Sequence, residues 1–231
     1  MVGLGTIINT AAILAGGLLG GIFGKFLNHN TQEALTKACG VSTIFIAISG
    51  ALEQMPLVEN SAMLLIGCLT IGALIGELLN IEGAFERFGS WLKVKTGNSR
   101  EAAFVDAFVT ASLTVCIGAM AIIGSIQDGI LGDYSILATK AVLDLVIIMA
   151  MTASLGKGAV FSAIPVALFQ GSITALAGLM QGIMTDLAMT NLGLIGNILI
   201  FCVGINLLFG KKVRVANLLP AIVIAVIAAF L

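Results

Sequence analysis

Residues 101–133 read EAAFVDAFVTASLTVCIGAMAIIGSIQDGILGD. The stretch is an apolar span interrupted at its centre by Cys116-Ile117-Gly118 and closed by a polar cluster between glycines, Gly124-Ser125 to Gln127-Asp128-Gly129. Polar groups buried in hydrocarbon cost several kcal/mol each unless they are paired. A span that joins helix-weakening glycine to polar ends is therefore expected to be a broken, functional helix.

The rest of the chain supplies the setting. Of 231 residues, 59% are hydrophobic and only 10% charged, with 28 glycines and a mean hydropathy of +1.13. A soluble domain carries about 25% charged residues, so this chain has lipid as its main solvent. Cys39, Cys68, Cys116 and Cys202 each lie in an apolar run and are expected to be free thiols packed as small apolar groups. The lone His29 has no His or Cys neighbour at metal-ligand spacing, so no metal or cofactor is expected. Met1 and Val2 precede the first apolar run without a basic segment, so no cleavable signal peptide is expected.

A helix needs about 20 apolar residues to cross a bilayer. On that criterion the fold is all-α, a polytopic transmembrane bundle with about eight spans near 3–24, 36–53, 61–79, 103–125, 135–155, 159–180, 191–209 and 214–231. The whole of 1–231 reads as one integral-membrane domain. Residues 81–95 interrupt the series. Ile81, Phe85, Phe88, Trp91 and Leu92 share one face there, with Glu82, Glu86, Arg87 and Lys93 elsewhere, as in an amphipathic helix lying in the interface.

Connecting loops alternate sides, and with eight spans 10 of the 11 basic residues collect on one of them. The opposite side receives Glu53, Glu59, Asp128, Asp133 and Asp186, with Lys140 just inside its span. The positive-inside rule makes the basic side cytoplasmic and places both termini outside.

Residues 15–28, AGGLLGGIFGKFLN, align without gaps to 67–80, GCLTIGALIGELLN. Val115-Cys116-Ile117-Gly118 resembles Phe201-Cys202-Val203-Gly204, and Leu143-Asp144-Leu145 more weakly resembles Ala216-Asn217-Leu218. These similarities suggest a 3+3 inverted repeat, with an extra N-terminal helix pair and two broken helices at Gly118 and Gly204. Glycine spacing in the first and third spans builds faces for close helix packing, within the chain or in a homo-oligomer.

Polar residues inside the spans are the candidate site. Lys140 and Asp144, four apart, share a helical face. Lys140 can snorkel outward, whereas Asp144 must pair, protonate or face water, either in an internal salt bridge or as a cation or proton site. Gln170 and Asn206, with Gly171 and Gly204 nearby, combine amide oxygens with weakened backbone, the means by which transporters coordinate ions. Asn9 and Asn197 are further amides in apolar runs. Gln127 and Asp128 are candidates for an outer gate.

The chain resembles the domain of unknown function 554 family of bacterial integral-membrane proteins. The resemblance rests on Gly5-Thr6-Ile7-Ile8-Asn9-Thr10, Gly124-Ser125-Ile126-Gln127-Asp128-Gly129, Lys140 with Leu143-Asp144, Gln170-Gly171 and Ala216-Asn217-Leu218-Leu219-Pro220. It implies a bacterial cytoplasmic-membrane protein and brings no substrate. From the residues, the expected function is a transporter for a small polar or cationic solute, coupled to an ion. A cation channel and a nonconducting scaffold or sensor are the alternatives. No phosphate-binding loop or Ser/His/Asp set suggests an enzyme, and the expected partners are the bilayer and a small solute or ion, not nucleic acid.

Overall fold

A computed structural model describes residues 2–99, 101–117, 119–180 and 184–230. They form helices α1 (Leu4–Phe23), α2 (His29–Gln54), α3 (Ser61–Leu79), α4 (Ile81–Lys95), α5 (Phe104–Cys116), α6 (Ala119–Leu131), α7 (Ser135–Leu155), α8 (Ala163–Ala175), α9 (Ala177–Met180), α10 (Asp186–Phe209) and α11 (Pro220–Ala228). Among the described residues there is no strand. The boundaries follow local chemistry. Asn28 caps α2 by accepting from the Thr31 N–H at 2.8 Å, which starts that helix well before the apolar run does. Asn60 and Asn80, both left-handed, bound α3, and the Asn80 side chain then caps α4.

Six stretches are each long and apolar enough to cross a membrane, beginning at Leu4, His29, Ser61, Ser135, Lys157 and Asp186. The expected fourth span is the pair α5–α6, bent by 61° at the break. The expected eighth is shorter: a 3-10 turn at Val215–Leu218 leads into α11, and the apolar helix runs only from Val215 to Ala228. Large apolar side chains such as Phe26, Phe45, Met63 and Leu78 are exposed on the outer faces, as lipid-facing residues are.

Glycine governs how these helices meet. Along α1, an ideal Cβ on Gly16 would stand 2.3 Å from the Leu145 carbonyl oxygen, and one on Gly20 2.2 Å from that of Met149; Gly24, just beyond α1, meets Ala153. The partners rise in step, so α1 and α7 run parallel. In the same way Gly72 meets Ala221 and Gly76 meets Asn217, which makes α3 antiparallel to the last helix. Gly40 meets Leu207 and Leu208, and Gly50 meets Asn197, so α2 is antiparallel to α10. Eight alternating crossings produce these three relations, provided that α5 and α6 together cross once and α4 does not cross.

Gly16, Gly20 and Gly24 meet α7, and Gly72 and Gly76 meet residues 217–221, so these glycines pack within the chain, the first of the two roles expected of them, while Gly21 has nothing within 4 Å. One expectation changes: the Cys-x-Gly segment of α10 is not a break, because that helix runs uninterrupted from Asp186 to Phe209. Gly204 instead lies against Gly40 and Ile44, each glycine within van der Waals reach of the other's carbonyl. Gly118, its expected counterpart, lies outside the described residues.

Candidate functional site

The break between α5 and α6 organises the site. At the end of α5, Ile117 is extended (φ −82°, ψ 125°), so the helix stops after the Ile117 N–H has bonded the Leu113 carbonyl, and the carbonyls beyond Leu113 are released from the helical ladder. One of them, the Val115 carbonyl, accepts a hydrogen bond from Lys140 Nζ at 2.8 Å. The same ammonium forms an ion pair with Asp144 one turn along α7. Lys140 is 6% exposed and Asp144 3%. The expected snorkelling of Lys140 is thus replaced by full enclosure, because a carboxylate and a helix end are both within its reach.

Two amides complete the cluster. The register of the α1–α7 contact carries Asn9 to the level of Lys140 and Asp144. Asn9 Nδ2 donates to Gln170 Oε1 on α8 at 3.3 Å. Both amides are completely buried, and Asn9 Oδ1 and Gln170 Nε2 have no partner among the described residues. Four elements therefore meet at one closed polar centre: α1, the end of α5, α7 and α8. An oxygen and an N–H are left over there for a ligand or water.

The remaining candidates go elsewhere. Asn206 clamps the loop after α10: its Oδ1 accepts from the N–H groups of Lys212 and Val213, both at 2.9 Å, and its Nδ2 donates to the Val213 carbonyl at 2.7 Å. With its bonds filled by backbone, it holds a loop in place and is not part of the central cluster. Gly204 serves helix packing. Asp128 is fully buried and accepts from the Gly5 N–H at the start of α1 at 3.0 Å. A carboxylate at a helix N-terminus is favoured by the helix dipole, so Asp128 anchors α1 where an open gate was expected. Gln127 is half-buried beside it.

Glu82 was assigned to the polar face of the interfacial helix, yet it is 4% exposed. Its N–H donates to Asn217 Oδ1 at 2.7 Å, and its carboxylate pairs with Lys211 at 2.8 Å. Lys211 also pairs with Glu86, and Arg214 with Glu77 at 3.0 Å. The signal was present in the spacing, since Glu82 falls in step with Phe85, Gly89 and Leu92 on the face that packs inward.

Two cavities flank α5. One of about 270 Å³ is lined by Asp106, Thr110, Leu113, Asn206 and Lys211. The other, about 730 Å³ and mainly apolar, passes the break at Cys116 and Ile117 and opens beside the exposed Leu168 and Val223. Leu113 lines both, two residues before the carbonyl that holds Lys140.

An all-α bundle of apolar helices around a buried charged cluster defines the class as an integral-membrane protein. The chain belongs to the family described as protein of unknown function DUF554, whose model matches residues 4–230. It is 31% identical over 226 residues to the "Uncharacterized membrane protein YdfK" of Bacillus subtilis (strain 168), covering 98% of this chain and 95% of that one. It is 28% identical over 226 residues to the "Uncharacterized protein YqgA" of Escherichia coli (strain K12), covering 96% and 94%. No solved structure matches the chain.

Proposed function

We propose that the protein is a transporter of the bacterial cytoplasmic membrane for a small polar or cationic solute, with the flux coupled to an ion. The observation that carries this reading is the enclosed Lys140–Asp144 pair at the broken end of α5. Charges are rare and expensive inside a bilayer and mark solute or ion pathways when they occur. Discontinuous helices that bring backbone carbonyls to the membrane interior are a recurrent feature of secondary transporters. An occluded centre of this kind suits a carrier that exposes its site alternately to each side better than it suits an open cation channel. The cavity lined by Asp106, Thr110 and Lys211 reaches Leu113, two residues before the Val115 carbonyl, and in this reading it is the approach to the centre from the basic side, taken as cytoplasmic by the positive-inside rule.

The test is solute flux into proteoliposomes across a panel of ions, amino acids and amines, with imposed proton and sodium gradients. Saturable, gradient-dependent uptake is expected, reduced at least tenfold by Asp144→Asn. Currents that do not saturate in planar bilayers would favour the channel, and absence of both would overturn transport.

A further inference from the structure

The Lys140 ammonium occupies a position built for a cation. The last carbonyls of a helix carry the negative end of its dipole, and in α5 that end terminates inside the protein and not in water. The Val115 carbonyl oxygen and the Asp144 carboxylate both touch Lys140 Nζ, and an Asn9 oxygen without a partner among the described residues lies on the α1 side chain that the α1–α7 register brings to this level. A carbonyl and a carboxylate on one positive charge, with an unpaired amide oxygen in the same closed centre, are also what a sodium or potassium ion requires, since hard cations take oxygen ligands.

We propose that these oxygens form a monovalent alkali-cation site, with Lys140 as its resting occupant and a mobile ion as its competitor. An incoming sodium or potassium ion takes over the contacts to Asp144 and Val115 while the ammonium swings away, so the charge balance of the centre is kept. Among the described residues the Lys140 ammonium is the charge that balances Asp144, since Asn9 and Gln170 are neutral. The competition makes Lys140 the residue that sets how tightly the ion is held. The role of the exchange in coupling rests on the transport reading, but the ion site itself can be tested without any flux.

Removing the ammonium should free the site. The melting temperature of the purified protein in detergent is measured in sodium, potassium and choline chlorides at equal ionic strength, for wild type, Lys140→Ala and Lys140→Met. The methionine variant keeps an unbranched stem in place without its charge. Each is paired with the same variant carrying Asp144→Asn. The expected result is a saturable rise of about 5–10 °C at a hundredfold excess of ion over Kd for the single variants in an alkali salt relative to choline. Wild type should show a smaller rise, because its ammonium competes with the ion, and the double variants should lose it. Equal melting of both single variants in all three salts overturns the site, as does an equal shift in the double variants. Failure to recover either single variant folded in sodium or potassium salt overturns it too, because the proposed ion would then not replace the ammonium. A protein whose single variants bind the ion while the wild type carries no flux would keep the site and lose the transporter.

Discussion

At the scale of single residues, the chain places nearly every buried charge beside a partner, and each pairing has a pH at which it fails. Burial of the Lys211 amine disfavours its charge, yet hydrogen bonds and attraction from Glu82 and Glu86 outweigh this and hold its pKa above the ordinary 10.5. A raised pKa adds stability that is complete below the unfolded value and is lost as pH rises through the folded one. The tie from the loop after α10 to α4 should therefore weaken above pH 10.5, while Lys211→Arg, which stays charged, keeps it. Melting curves at pH 9 and pH 11 check this, and a parallel fall of wild type and Lys211→Arg would refute it. Asp144 and its need for Lys140 were legible in a spacing of four. The Val115 carbonyl and the place of Asn9 were not, because the first reaches the pair through the packing of α5 against α7 and the second through the register between α1 and α7, to which residues 5–24 and 137–153 contribute together.

At the scale of elements, glycine does two different jobs that look alike in sequence. Isolated in a helix, it costs about 1 kcal/mol relative to alanine. In α10 that cost is offset because Gly204 lets α2 approach to backbone contact, and the helix continues. After Cys116 the helix stops, and the Lys140 side chain from α7 donates to the Val115 carbonyl released there. Sequence alone registers the glycine and not the neighbour that decides between these outcomes. The packing role can be measured with adjacent residues. Gly20→Ala would force a Cβ to within 2.2 Å of the Met149 oxygen, whereas a Cβ on Gly21 has nothing within 4 Å. Gly20→Ala should lower stability by about 1–3 kcal/mol, as overpacking does, and Gly21→Ala should leave it unchanged or raise it. Denaturation in detergent compares the two, and equal effects would mean that α1 does not lie on α7 as described.

At the scale of the whole molecule, the alternation of basic and acidic loops was readable from composition alone, and the directions in which the helices meet agree with that alternation. The pairing of elements was not readable, since contacts between residues more than a hundred positions apart leave no local pattern. Absolute orientation is open to a direct measurement in a cysteine-free background. Glu59→Cys should react with an impermeant maleimide in intact spheroplasts, and Lys95→Cys only after permeabilisation. The reverse pattern would invert the protein in the membrane.

The parallel contact between α1 and α7 also bears on how the protein is made. More than a hundred residues separate the end of one helix from the start of the other. At about 5–20 residues per second, α1 leaves the ribosome on the order of ten seconds before its partner exists. For that interval its glycine stripe lacks the α7 backbone on which it packs. The first helix must therefore be held by lipid or by the insertion machinery, and synthesis halted before residue 135 leaves a chain whose earliest element is still unclaimed and open to quality-control proteases.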